Sequence, residues 1–243
     1  MNDYSFVGAP QLKRGPLGRS RSPFPQHCGI MKASDTRLFV LYLHELFMLA
    51  KAVRDGCDHV FAQTPPPANG HYIKVDPDLH STINGVLIDA ANIKKLVHTG
   101  ERRLTKESKK VFELRQERSR LLRLLLNGVE LDEIVNTRVR NTLEHFDEYL
   151  DETNIALSSG RKPPAPMAAY NMTFSDWDVT TPRVFPLRLY VGSERKYYNM
   201  KYSIDLSRLR AQAAAVVDRL LSSEVMRGVP EPGGLMVPLP GYK

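Results

Sequence analysis

Residues 140–145 read RNTLEH and place Arg140, Asn141 and His145 within a short stretch of the chain. Arginine is always charged and binds phosphate through its planar fork of N–H donors. Histidine is the side chain most easily set to give or take a proton near neutral pH. Together these side chains could cleave a phosphodiester bond with neither a metal ion nor a cofactor, so this segment is the candidate site.

The segment that carries these residues is predicted to be one helix from about Glu130 to Ile155. At roughly 100° per residue, the apolar stripe expected of a core-facing side is formed by Val139, Leu143, Phe146 and Leu150. The opposite side holds Asn141, Glu144, His145 and Glu148, with Arg140 at its edge. The candidate site is therefore expected to face solvent, a cleft or a partner subunit.

The charge of the chain is uneven along its 243 residues, with a net value of +7. Residues 94–123 hold eleven Lys or Arg against four Glu, whereas residues 130–152 hold eight acids against Arg138 and Arg140. A basic protein invites a nucleic-acid partner, but an acidic helix repels RNA. If RNA is the substrate, the basic segment or a second subunit must offset the field of the acidic helix.

The apolar and cysteine patterns of the sequence indicate in which cellular compartment the protein is expected. The longest apolar run, residues 38–50, is interrupted by His44 and Glu45 and is too short to span a bilayer. The N-terminus lacks an apolar block beside a small-residue cleavage site, so no secretory signal and no membrane contact are expected. Cys28 and Cys57 are not in a CxxC spacing. These features predict a reduced, cytoplasmic setting.

The chain is predicted to be mainly α, an antiparallel bundle of four to five helices with a small β-hairpin before the last helix. Residues 1–33, rich in Gly, Pro, Ser and Arg, are expected to be a flexible basic arm. Residues 34–226 are expected to form one helical domain, followed by a flexible tail over 227–243. Within the domain, proline density predicts a long loop over 158–182, and alternating apolar residues predict the hairpin over 184–204.

Four further helices are predicted beside the one that carries the candidate site. Their limits follow from capping and proline signals and are about Ser34 to Asp55, Asp76 to His98, Lys106 to Leu126, and a last helix capped by Asp205 or Ser207. The short connections on both sides of the third helix favour antiparallel neighbours.

The pattern Arg-Asn-x-x-x-His at residues 140–145, on the fourth helix of a bundle, resembles the HEPN superfamily. Its members are small α-helical bundles, usually dimeric, found in prokaryotic toxins, phage defence and RNA-processing proteins. The continuation HFDEYLD over residues 145–151 is similar to many bacterial members, and so is a strand pair that leads into a final helix. One departure concerns the subgroup paired with nucleotidyltransferase antitoxins, which carries a tyrosine two residues after the histidine. Here that position is Asp147, so control by nucleotidylation there is not supported.

The resemblance implies a metal-independent endoribonuclease of a toxin–antitoxin or phage-defence system. In this interpretation His145 is the general base or acid at the ribose 2′-hydroxyl or the leaving 5′-oxygen. Arg140 holds the scissile phosphate, and Asn141 orients the histidine or the phosphate. Glu144 and Glu148 support the site, because a nearby carboxylate favours a protonated imidazole.

One imidazole cannot be both base and acid at one phosphate in one step, whereas two copies related by a twofold axis can. A homodimer with a composite site is therefore expected. Its other partners would be the RNA substrate and an antitoxin or defence protein.

Simpler explanations exist for each residue. Arg140 and Glu144 have the spacing of an exposed helix ion pair, and His145 could be a solvated surface histidine. The alternative function is a non-catalytic, dimeric interaction module of the same fold. A third interpretation is an RNA-binding protein that acts through the basic arm at Lys13 to Arg21.

Other residues that could do chemistry lack a supporting pattern. No metal-ligand spacing joins the cysteines to His71, His80 and His98. The long loop is expected to pack against the domain through Tyr170, Phe174 and Trp177, which would then not stack on bases. The hairpin is expected to be stabilised by Tyr197, Tyr198 and Tyr202.

Overall fold

The structure is a computed structural model, and it describes residues 39–223. All of these belong to one compact unit. The basic arm predicted over 1–33 and the tail predicted over 227–243 lie outside the described residues, and so does the predicted start of the first helix.

The described chain is mainly α-helical with a small mixed sheet, which confirms the coarse fold class. Its elements are α1 (Phe39–Gln63), β1 (Ile73–Val75), α2 (Pro77–Val97), α3 (Lys109–Leu125), α4 (Asp132–Val135), α5 (Arg138–Glu144), α6 (Phe146–Ser158), β2 (Ala168–Phe174), a 3-10 helix (Trp177–Val179), β3 (Phe185–Val191), β4 (Lys196–Asn199), β5 (Tyr202–Asp205) and α7 (Leu206–Leu221).

Helices α1, α2 and α7 pack together and form most of the core. The limits of α2 confirm the sequence prediction, because the Asp76 carboxylate accepts a hydrogen bond from the Leu79 N–H at 3.1 Å and Pro77 opens the first turn. The Asp205 carboxylate caps α7 in the same way, through the Arg208 N–H at 3.0 Å. Local capping chemistry thus defines both helix starts.

The contact between α1 and α2 is tight at Gly56. A Cβ atom built there would lie 2.5 Å from Cγ2 of Val86, a buried side chain whose branched Cβ leaves it few rotamers in a helix. Overpacking costs about 1–3 kcal/mol and outweighs the ~1 kcal/mol that alanine gains over glycine in a helix.

Gly56→Ala is therefore expected to lower the free energy of unfolding by about 1 kcal/mol, measured by urea titration. In a Val86→Ala background the same change will become stabilising, since the clash is gone. Gly85→Ala is the matched control, because nothing lies within 4 Å of its added Cβ and the helix gains stability. Equal effects of Gly56→Ala in both backgrounds would contradict this account.

The sheet has five strands in the described residues, ordered β1-β2-β3-β4-β5. Strands β2 and β3 are parallel and the other neighbours are antiparallel. The prediction of a loop without strands over 158–182 is wrong, because β2 and the 3-10 helix lie there. The predicted hairpin over 184–204 is divided into β3, β4 and β5. Residues 170–174, YNMTF, do alternate apolar and polar side chains, a strand signal that the prediction missed because of the proline density around it.

The two faces of the sheet are covered by different residues. Tyr190, Tyr197 and Ile204 pack against the helical core. The opposite face carries a second apolar cluster of Ala169, Phe174, Trp177, Val184, Leu189 and Val191. The expectation that the loop aromatics pack down is confirmed for Phe174 and Trp177, whereas Tyr170 is 52% exposed.

The single helix predicted from Glu130 to Ile155 is wrong, because this segment forms α4, α5 and α6. Asn136 is extended and ends α4, while His145, at φ −109° and ψ 40°, separates α5 from α6. The breaks follow from tertiary contacts: α4 is held by α7, and Phe146, at the start of α6, packs against Tyr170 and Arg188.

Within residues 39–223, no helix combines the length and the apolar character that crossing a bilayer requires.

Candidate functional site

His145 lies at the junction of α5 and α6. Its N–H donates to the Asn141 carbonyl at 3.0 Å, and its own carbonyl accepts from the Tyr149 N–H at 3.1 Å. The helical hydrogen bonding therefore continues through the junction although the backbone bends. The imidazole is 56% exposed, and its Nδ1 lies 3.5 Å from a Glu148 carboxylate oxygen that is itself exposed. An exposed pair of this kind contributes little to stability.

Arg140 is held on the surface of α5 with its guanidinium partly covered. Its side chain is 22% exposed and forms an ion pair with Glu144. The Nε atom is buried and has no hydrogen-bond partner among the described residues. A phosphate that binds Arg140 through both sides of the fork must therefore displace Glu144.

The three predicted catalytic side chains do not form one cluster within a single copy. No hydrogen bond or ion pair joins Arg140 to His145 in residues 39–223. Asn141 is half-buried, and its hydrogen bond to His145 is made by the backbone. The two supporting acids lie beside the predicted catalytic residues. Glu144 pairs with Arg140, and Glu148 lies next to His145.

Helix α5 is fixed to the sheet by a chain of buried hydrogen bonds. The Thr142 hydroxyl donates to the Val139 carbonyl at 2.6 Å and accepts from Nδ2 of Asn199, on β4, at 2.9 Å. Oδ1 of Asn199 in turn accepts from the Arg188 N–H, on β3, at 3.0 Å. These hydrogen bonds connect α5, which carries Arg140, to Arg188 on β3, and Arg188 lines a cavity between the helices and the sheet.

That cavity has a volume of about 240 Å³ and lies between α2, α5 and the sheet. Leu143 of α5 closes one side, and the polar lining comes from His80, Ser81, Asn84, Asn171, Arg188 and Tyr197. We call the four residues His80, Asn171, Arg188 and Tyr197 the cavity cluster.

Burial sets the protonation of the cavity cluster. Burial and, to a smaller extent, the positive charge of Arg188 outweigh the raising effects of Asp76 and a backbone hydrogen bond with Met172, and the pKa of His80 is lowered to about 4. Burial also raises the pKa of Tyr197 well above its usual range. The imidazole and the phenol are therefore both neutral at pH 7, with His80 Nδ1 and Tyr197 Oη 3.5 Å apart.

Asn171 and Arg188 adopt left-handed backbone conformations, with φ of 53° and 59°. They lie at the same level of the parallel strands, between the paired positions Tyr170–Leu187 and Met172–Leu189. Asparagine tolerates this conformation, whereas arginine loses roughly 1–2 kcal/mol. The Asn199 side chain offsets part of that loss by accepting from the Arg188 N–H, which the bent strand leaves without a ladder partner.

The Arg188 guanidinium is held by two aromatic rings, 4.6 Å from the Phe146 centroid and 5.9 Å from that of Tyr170. Sequence reasoning missed the cavity cluster. Its members are far apart in the chain and match no motif, and only their juxtaposition makes them a site.

No group of three or more His, Cys, Asp or Glu side chains in the described part of the chain is placed to hold a metal ion. Comparison with known protein families, with curated proteins and with solved structures gives no significant match.

Proposed function

We propose that this chain is an HEPN-like, metal-independent endoribonuclease with a composite Arg/His site between two copies of the chain. In this proposal the helices form a bundle of that superfamily's kind, and the protein acts in the cytoplasm with an antitoxin or defence partner. His145 exchanges the proton of the ribose 2′-hydroxyl or of the leaving oxygen. Arg140 neutralises the scissile phosphate.

The observation that carries the proposal is the placement of His145. A histidine 56% exposed at a bend between two helices contributes little to folding, and it follows by five positions an arginine that is 22% exposed. The imidazole is accessible to a polymer substrate from outside, and the guanidinium is partly so. Release of Arg140 from Glu144 requires a competing anion, which a phosphate group supplies.

Helix α6 supplies a surface for the second copy. None of its residues is buried, and its apolar side chains include Ile155, 70% exposed, and Leu157, 40% exposed. The helix starts immediately after His145. A twofold contact that pairs the two α6 helices in parallel would bring the second imidazole towards the first, and burial of Ile155 and Leu157 would stabilise it.

The test is cleavage of an end-labelled, single-stranded RNA of mixed sequence, in the presence of a chelator. The wild type is expected to leave 2′,3′-cyclic phosphate ends and to spare DNA of the same sequence, which lacks the 2′-hydroxyl. His145→Ala and Arg140→Ala are each expected to reduce the rate about 100-fold or more.

Two variants control for surface changes that leave the site intact. His59→Ala removes another exposed histidine, which pairs with Gln63 at 2.9 Å. Arg120→Ala removes another helix arginine, which pairs with Glu117. Both are expected to cleave like the wild type. Equal rates in all five proteins would refute the ribonuclease proposal.

A non-catalytic dimeric interaction module is the second candidate, and the pairing of Arg140 with Glu144 favours it. An arginine already neutralised by a neighbouring acid suits a protein contact as well as a phosphate site. Under this alternative the wild type does not cut RNA, yet it is a dimer in sedimentation equilibrium. Ile155→Asp will then convert the dimer into a monomer.

A further inference from the structure

The cavity cluster has more polar groups than partners for them. Oδ1 of Asn171 and Nε of Arg188 are both buried, and neither has a hydrogen-bond partner among the described residues. Buried polar groups are nearly always paired in native proteins, and two neighbouring groups without partners demand an explanation. Both residues line the same cavity of about 240 Å³, so one ligand could satisfy them together.

The backbone conformation of the cavity cluster also indicates a binding site. Asn171 and Arg188 have φ values of 53° and 59° at one level of two neighbouring strands. Non-glycine residues held in this region concentrate at functional sites. Here the buried chain from Thr142 through Asn199 to the Arg188 N–H holds the conformation, and it turns two residues of a sheet interior towards the cavity.

The positive charge of the cavity favours an anionic ligand. Arg188 is its ionised side chain, and no acidic side chain lines it in the described residues. Asp76, the acid that acts on His80, is engaged with the Leu79 N–H at the start of α2. The rings of Phe146 and Tyr170 hold the guanidinium in place, so little side-chain freedom is lost when an anion binds.

The unpaired atoms define two complementary groups. Nε of Arg188 is a donor and requires an acceptor, which an oxyanion provides with charge assistance. Oδ1 of Asn171 is an acceptor and requires a donor, such as a hydroxyl group. A cavity of about 240 Å³ suits a small molecule.

We propose that this cavity binds a small hydroxylated oxyanion, whose anionic group contacts Arg188 and whose hydroxyl group donates to Asn171. The site is separate from the Arg140–His145 pair and does not depend on the ribonuclease proposal. Phosphate monoesters and carboxylates share the required chemistry.

The experiment is a calorimetric titration of the full chain at pH 7.5 with four probes: glycerol 3-phosphate, glycerate, inorganic phosphate and glycerol. Binding of glycerol 3-phosphate identifies a phosphate ester as the ligand class, and binding of glycerate identifies a carboxylate. Either should bind at least 10-fold more tightly than glycerol, which lacks the anionic group, or inorganic phosphate, which lacks a hydroxyl group on carbon. The proposal is wrong if neither two-group probe binds, or if inorganic phosphate binds as tightly.

Three variants assign the binding to the cluster. Asn171→Gly removes the amide oxygen and suits the positive φ, so the protein will fold and bind at least 10-fold more weakly. Arg188→Gln is expected to bind at least 10-fold more weakly as well. Arg195→Gln is the matched control, since Arg195 has φ 50°, stacks 4.4 Å from the Phe61 centroid and lies outside the cavity. Unchanged binding in Asn171→Gly, or equal loss in Arg195→Gln, would overturn the assignment.

Discussion

Replacing Gln212 with leucine is expected to lower the free energy of unfolding by about 4 kcal/mol, the largest single effect that we predict for the fold. Gln212 lies on α7 and is 6% exposed. Its Oε1 accepts from the N–H groups of Glu133 and Ile134 at 3.0 and 3.1 Å. Leucine fills a similar volume but offers no acceptor.

The reason for so large an effect is the missing cap of α4. The position before this helix is Leu131, which has no side-chain acceptor for the first N–H groups. Every helix start leaves such donors without an intrahelical partner. Gln212 replaces the cap from a distant part of the chain, so its loss removes the acceptor that both buried donors share. Each unpaired donor costs roughly 1–3 kcal/mol.

The measurement is urea unfolding followed by circular dichroism, with Asp132→Ala as the control. Asp132 accepts from Nε2 of Gln212 and from the Glu133 N–H, and it pairs with Arg208 at the surface. Without Asp132 the Gln212 oxygen still accepts from both buried N–H groups. Asp132→Ala is therefore expected to have a much smaller effect. If Gln212→Leu unfolds at the same urea concentration as the wild type, the long-range cap is not what stabilises α4.

The same contact explains why the helix around the candidate site was predicted incorrectly. The sequence from Glu130 to Ile155 has helical periodicity, and no neighbouring side chain caps the start of α4. The stop at Asn136 and the bend at His145 depend on α7 and on the packing of Phe146 against the sheet. Where capping is local, as at Asp76 and Asp205, the sequence predicted the helix starts correctly.

The two candidate sites differ in how far sequence could predict them. Arg140, Glu144 and His145 are close together in the chain, so their spacing alone was enough to predict a candidate site. The same spacing allows an ion pair between Arg140 and Glu144, and the structure contains it. The cavity cluster joins residues from α2, β2, β3 and β4. Its defining property, the left-handed backbone at Asn171 and Arg188, follows from the pairing of two strands, one of which lies in the segment predicted to be a loop.

Acidification is expected to destabilise the protein through His80, by about 3 kcal/mol in full. In the unfolded chain a histidine has a pKa near 6.5, whereas burial lowers the pKa of His80 to about 4 in the folded protein. At a pH between about 4 and 6.5, the His80 imidazole is protonated in the unfolded chain and neutral in the folded protein. The free energy of unfolding therefore falls as the pH decreases from about 6.5 towards 4, and His80 adds no pH dependence above that window.

The measurement compares urea unfolding of the wild type and of His80→Gln at several pH values from 7.5 to 4.5. Carboxylates and the other histidines titrate in both proteins, so the difference between the two curves isolates His80. Relative to its own value at pH 7.5, His80→Gln should lose roughly 2–3 kcal/mol less than the wild type on reaching pH 4.5. His59→Gln, which removes an exposed histidine, should follow the wild type. If the difference between wild type and His80→Gln is constant across this range, the imidazole is not excluded from protonation in the folded state. Its neutral role in the cavity cluster would then have to be abandoned.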